Sequence, residues 1–374
     1  QIPTDGFEDA LHEALAASRP GDEILLPVGR FQLSRMLTLA TREIRLRGAG
    51  RGETALDFSQ QTTGGQSFLI LGDDTDLSGL RVLDPPADGI VARHVRRFTA
   101  RDITVEWTGS DHRSNGGYGI YPVQSRHVRL ENCYVRGATE AGLYVGQSYE
   151  VVVAQNTVED NVIGIDIENS HNVKVLNNTA RGNSLGVVVS ARPGLFETRS
   201  VNVSVVGNQI DANNRENFAK RDSYAASLTT GIGIAVVGTW KTVIEKNDIR
   251  NHVRSGIALL NYTSLRLGDS ASDQFNPNVD WVRLSQNEIA PNPDTTPRTG
   301  ERWEDLRGYD VVWDGIVFMV PIRKGFEPTP VCLEKQEIGS WGIPKSAGRT
   351  ERAQSFPNCD PERSNSVPDG KGEY

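Results

Sequence analysis

Two carboxylates stand two residues apart in the segment Gly-Ile-Asp-Ile-Glu-Asn (164–169), where apolar and acidic side chains alternate. Strict alternation marks a strand with one face in a core, so Asp166 and Glu168 share the opposite face. Paired carboxylates there can be solvated strand charges, an acid and a base, or hard oxygen ligands for a cation such as Ca2+, although two carboxylates fall short of a full calcium shell. Comparable segments place tyrosines where Asp166 sits: Tyr121 in "GIYPV" and Tyr144 in "GLYVG". Aromatic faces beside polar groups suit sugar rings, which combine apolar C–H faces with hydroxyls. Nearby loop sequences supply Asp111, His112, Arg113, Lys220, Arg221, Asp222 and Tyr224, and Tyr118 directly precedes its strand glycine.

Positioning these groups is the work of a repeat. "GIYPV" (119), "GLYVG" (142), "GIDIE" (164), "GVVVS" (186), "GIAVV" (233) and "GIALL" (256) are copies of one strand, their glycines 23, 22, 22, 47 and 23 residues apart. A second shared piece ends in Asn156, Asn178, Asn208, Asn247 and Asn287. A unit of about 22 residues with no helical period cannot bury its own apolar face and must stack on its neighbours. Asn suits the recurring turn, since it tolerates tight turns and carries both donor and acceptor. The expected fold is all-β, a single-stranded right-handed parallel β-helix over residues 36–290. Residues 1–35 would supply an amphipathic capping helix, with Phe7, Leu11, Ala14 and Leu15 on one face, and the first strand. Residues 291–374 read as an irregular tail packing on or capping the solenoid, with a late strand at 314–320.

Insertions into the repeat adjoin one sheet. The segments 106–117, 191–200 and 211–230 all lie next to copies of the same strand and predict walls around a groove on one outer face. The pleat places Ile120, Leu143, Ile165 and Val187 inward. Tyr121, Tyr144, Asp166 and Val188 then form one outward row, and Val123, Gly146, Glu168 and Ser190 the next.

Bulk composition narrows the partners. The 374 residues carry a net charge of −8, with 37% hydrophobic and 24% charged residues. Net negative charge argues against a nucleic-acid coat. No apolar run is long enough to span a bilayer. Cys332 and Cys359 are a candidate disulfide, and with a signal peptide already removed the protein would be secreted or periplasmic. Cys133 occupies an Asn position of the repeat and reads as a buried substitution. The chain is expected to act as a monomer.

The stretch "RPGDEILLPVGRF" followed by Asn-turn coils resembles the pectate-lyase-like superfamily over roughly residues 7–320. "YGIYPVQSRHVRLENCYV", "AGLYVGQS" and "GIDIENSHNVKV" are similar to bacterial parallel β-helix repeat proteins commonly predicted to be exported. The resemblance implies work on carbohydrate. Alginate epimerases carry a Tyr-Gly-Phe/Leu-Asp-Pro-His motif; "YGIYPV" keeps Tyr118, Gly119 and Pro122 but has Tyr121 and Val123 in place of the Asp and His. Three readings stay open. A lyase or epimerase-like enzyme on an acidic polysaccharide would use Arg113, Lys220 or Arg221 to neutralise a uronate and Tyr121, Tyr144 or His112 to exchange protons. A glycoside hydrolase would use Asp166 and Glu168. A non-catalytic carbohydrate-binding or surface protein would need only the groove and its aromatics. Asp111, Tyr118 and Tyr224 are substrate contacts in these readings.

Overall fold

The computed structural model describes residues 1–221, 223–265, 275–290, 309–314, 331–336, 338, 341–342 and 359. Every registered strand pair among them is parallel, and partners lie one coil apart, as in Tyr144↔Asp166↔Val188 and Gly146↔Glu168↔Ser190. The strands form two sheets. The smaller has one strand per coil and includes Tyr118–Val123, Ala141–Gly146, Ile163–Glu168, Leu185–Ser190, Ile232–Val237 and Ser255–Leu260. The larger takes the remaining strands of each coil, for example His171–Leu176 and Thr179–Arg181. This is a right-handed parallel β-helix.

Alternation fixes the interior. Ile120, Leu143, Ile165 and Val187 are at most 1% exposed and stack with Val151, Val173 and Val203 in one continuous core. Three polar ladders run through it. Cys133, Asn156, Asn178, Asn208, Asn247 and Asn287 form the first, each backbone N–H donating to the next Asn Oδ1 at 2.8–3.1 Å. Cys133 thus occupies an Asn rung, and burial pushes its thiol up to about 12. The repeat did not reveal the second ladder, Asn161, Asn183 and Asn213, which ends on His252. A third joins Ser125, Ser148 and Ser170.

Helix α1 (Phe7–Ala17) buries Phe7, Leu11 and Leu15 at the first coil, with the Phe7 ring stacked on Phe31 at 3.7 Å. It covers strand ends that would otherwise present unpaired backbone groups. Both sheets continue past residue 290, because Tyr309–Trp313 pairs with Ser255–Leu260 and Val331–Glu334 with Asp280–Ser285. Sequence reasoning placed a late strand at 314–320; the strand found there ends at Trp313, and residues 315–320 lie outside the described ones. Cys332 and Cys359 are disulfide-bonded.

Candidate active site on the roofed face of the smaller sheet

Tyr121 and Tyr144 face outward as the pleat requires, and Tyr118, at the start of its strand, joins them on that face. Tyr118, Tyr121 and Tyr144 form a triangle with ring centroids 4.7–4.8 Å apart, Tyr121 meeting Tyr144 edge-on. Such pairs add roughly 0.5–1.5 kcal/mol beyond area burial. Gly146 makes the arrangement work: a Cβ there would lie 2.4 Å from the Tyr144 ring. With that space open, Tyr144 leans along its strand and its hydroxyl donates to Glu168 Oε1 at 2.7 Å. Arg192 binds the other carboxylate oxygen at 2.8 Å, and its guanidinium lies 4.0 Å from the Tyr224 ring centroid.

Asp166 is treated differently. It is 3% exposed, and its Oδ1 has no hydrogen-bond partner among the described residues. Burial, reinforced by Glu168 and opposed by Arg192, holds its carboxyl well above the usual carboxylate range. Ser190 Oγ, Arg192 Nε and the Tyr224 hydroxyl are likewise buried without a partner. Tyr118, Tyr121, Tyr144 and Tyr224 are all raised above their ordinary value, first by burial and then by neighbouring charges, Asp166 and Glu168 prominent among them. All four are therefore held protonated.

The insertions do lie over this sheet, but as a roof rather than as walls. Phe218, Ala219 and Ala225 pack on Ile163, Leu185, Val188, Ile232 and Ala235 in a second apolar cluster on the outside of the sheet. Asp166 and Glu168, expected on an open floor, are thus outward-facing but covered, because the loop carries enough apolar side chains to make the face a core. At its N-terminal end the face is less covered: Tyr118 and Tyr121 are half-buried, and the exposed Lys220 and Arg93 lie near Asp88 and Tyr121; Arg221 is exposed. Asp88 joins them there: it accepts the Tyr118 backbone N–H at 3.3 Å, and burial, against the pull of Lys220, raises its carboxyl to about 6. Glu140 is raised by burial while Ser223 and the Ala225 backbone hydrogen-bond to it, tying the roof to the sheet.

The other sequence candidates fall at the roof's edge. Asp111 caps its own short helical turn, accepting from Arg113 N at 3.1 Å. Arg113 reaches Glu216 at 3.2 Å, and the His112 ring lies 5.5 Å from Phe218. Burial and Arg215 depress His112, so it stays neutral there. These three join two insertions rather than approach the carboxylates. Asp222 lies outside the described residues.

Arg192, Asp88 and Glu140 were missed by sequence reasoning. Arg192 sits in the flagged insertion 191–200, but a loop has no pleat from which to read direction. Its position is set by Asn169, whose side chain accepts from Arg192 N and donates to the carbonyls of Arg192 and Glu197. Glu197 in turn accepts from the Tyr149 hydroxyl, and its carboxylate lies 3.1 Å from His171 Nε2. Asp88 carried a signal: it precedes "GIVA" as Tyr118 precedes "GIYP", in an earlier copy of the strand. For calcium, the described residues contain no cluster of three or more His, Cys, Asp or Glu side chains. Glu168 is already occupied by Arg192 and Tyr144.

No curated protein matches the sequence. The A-module of the Azotobacter vinelandii mannuronan C-5 epimerase AlgE6 superposes with a TM-score of 0.56 at 17% identity, covering 82% of this chain and 74% of that one. The Dettilon tailspike protein gives 0.51 at 15% identity, covering 84% of this chain and 63% of its own. At these identities the likeness is one of fold. The family model described as "Right handed beta helix region" matches residues 67–267, more than half the chain. The chain therefore belongs to the right-handed β-helix family.

Proposed function

We propose that this is an exported carbohydrate-active protein that takes an acidic polysaccharide at the less covered, Tyr118–Tyr121 end of the roofed face and acts on it by proton transfer, as a lyase or epimerase-like enzyme does. One observation carries the reading: a buried carboxyl kept protonated, Asp166, sits two residues from a carboxylate clamped by Tyr144 and Arg192. A carboxyl held protonated by burial beside a second carboxyl group is a candidate acid.

The chemistry follows from those states. Removing the proton next to a uronate carboxylate needs an acceptor and a group that offsets the carboxylate charge. Glu168 is the acceptor, and protonated Asp166 donates a hydrogen bond to the uronate. Tyr144, held protonated, is the donor to the departing oxygen. Sugar rings stack on Tyr118 and Tyr121, with Lys220, Arg221 and Arg93 meeting the polymer's charge. Reaching the pair requires the roof to lift from it. That means parting Phe218, Ala219 and Ala225 from the sheet and Ser223 and Ala225 from Glu140, whereas the exposed Arg113–Glu216 pair between the two insertions adds at most about 1 kcal/mol. The disulfide supports export, since such bonds persist in oxidising compartments.

A second reading rests on the same pair. Side chains at i and i+2 on a strand lie about 6.5–7 Å apart, the lower edge of the roughly 6.5–9.5 Å used by inverting glycoside hydrolases. Asp166 would then protonate the glycosidic oxygen and Glu168 activate water. Incubation with alginate, polygalacturonate and other uronate polymers decides between them. A rise in absorbance at the wavelength of unsaturated uronates, lost in Asp166→Asn and Tyr144→Phe, is the expected result. New reducing ends without that absorbance would indicate hydrolysis. Binding without turnover, insensitive to both substitutions, would leave a carbohydrate-binding module.

A further inference from the structure

The larger sheet carries two adjoining depressions, of about 590 and about 420 Å3, away from the tyrosine-lined face. Arg51 lines one and ion-pairs at 3.2 Å with Asp102, which lines the other. Two outward rows flank them. Arg47, Ser78 and Arg101 are register partners in successive coils, which sets the two arginines about 9–10 Å apart along the solenoid axis. Arg81, Thr104, Tyr134 and Thr157 make the second row. Between the rows the floor includes bare backbone: a Cβ on Gly48 would stand 2.2 Å from the Gly79 carbonyl oxygen, so no side chain fits there.

We propose that this corner of the larger sheet is a second binding site, for a linear anionic glycan that lies along the solenoid axis with its carboxylates or sulfates on Arg47, Arg51, Arg81 and Arg101. The four side chains are 39–59% exposed, and each meets one acidic partner, at 4.0, 3.2, 3.6 and 3.2 Å respectively. A guanidinium has five donors, and exposed pairs of this kind contribute at most about 1 kcal/mol, so a ligand anion can add to or replace them. Fork-shaped donors suit planar carboxylates and sulfates. The hydroxyl of Ser78 lies between Arg47 and Arg101 in their row, and Tyr134 and Thr157 continue the second row past Arg81. A polynucleotide fits less well. One half-buried tyrosine is no stacking platform for its bases. The site stands whether or not the tyrosine-lined face is catalytic.

The test is a titration of the intact protein with fluorescent oligogalacturonate, a heparin-derived oligosaccharide, a neutral cello-oligosaccharide and a single-stranded oligonucleotide. One or both anionic glycans should bind, more weakly at high salt, and which of them does identifies the anion. Arg47→Ala/Arg101→Ala should weaken that binding by about fivefold or more, and Arg47→Lys/Arg101→Lys should recover part of it. Both variants should keep the wild-type melting temperature, because these side chains are exposed. Tyr121→Ala, on the other face, should leave the arginine-dependent component unchanged. Four results would overturn the proposal: no anionic glycan binding, binding indifferent to the arginines, binding lost only in Tyr121→Ala, or equal affinity for the oligonucleotide.

Discussion

Two sets of polar side chains are buried in this protein, and they are built on different terms. Along the asparagine ladder, Asn178 takes a backbone N–H and an amide N–H from Asn156 and donates to Val153 O and to Asn208. Asn208 repeats the pattern one coil on. Outside the smaller sheet, Asp166 Oδ1, Ser190 Oγ and the Tyr224 hydroxyl are buried and unpartnered among the described residues. A satisfied network rigidifies a fold, whereas each unsatisfied group costs about 1–3 kcal/mol and calls for a reason. The ladder is satisfied coil after coil; the outer cluster leaves buried groups without partners, at a cost in stability.

Substitutions can break that contrast. Asn208→Leu should cost most, on the order of 4 kcal/mol, because it strands groups on two neighbouring coils; urea unfolding reads it directly. Arg192→Met should cost about 3 kcal/mol by leaving Glu168 buried without its cation, and Glu168→Gln/Arg192→Met should recover much of that. Gly146→Ala should cost about 1–3 kcal/mol through overpacking against Tyr144 and should abolish whatever depends on the Tyr144–Glu168 hydrogen bond. Equal losses from Asp166→Asn and Asn208→Leu would erase the distinction between the two sets.

Smaller effects sharpen it through pH. Asp166 and Asp88 have folded values raised above the unfolded one, so the folded state holds more protons. Their contribution is complete below about pH 4 and is lost as pH rises through the folded value, which for Asp88 is about 6. Asp166→Asn should therefore be more stable than wild type at pH 7, with the gain vanishing near pH 4. Asp88→Asn should reduce the slope between pH 4 and 6 by the Asp88 share. Glu197 has the opposite sign: burial raises it, but His171 and the Tyr149 hydroxyl outweigh that and bring it to about 2. Its stabilisation is present above its ordinary value of 4.5 and is lost as pH falls toward 2. Glu197→Gln should flatten the acid limb of a stability–pH profile.

Much of this was legible in the sequence because the solenoid is periodic. A repeat of about 22 residues with strict alternation fixes coil, register and face together. That is why Tyr144, Asp166 and Val188 could be aligned in advance, and Gly146, Glu168 and Ser190 beside them. The first Asn ladder was legible for the same reason, and Cys332 and Cys359 because both stand outside the sequence repeat. What was not legible lies in the insertions. Their apolar content, Phe218, Ala219 and Ala225, decides that they cover the sheet rather than flank it. Arg192 has no pleat to announce its direction, and the second ladder, with the same spacings as the first, runs through Asn161, Asn183 and Asn213 and ends on a histidine rather than an asparagine.

The account turns on the protonation of one side chain. Carbon-13 spectra of protein labelled at aspartate carboxyls, with Asp166→Asn used to assign the resonance, would follow Asp166 through the pH range. The account predicts that Asp166 keeps the chemical shift of a protonated carboxyl at neutral pH, far above the titration of an exposed aspartate. A resonance that titrates near pH 4 would contradict it.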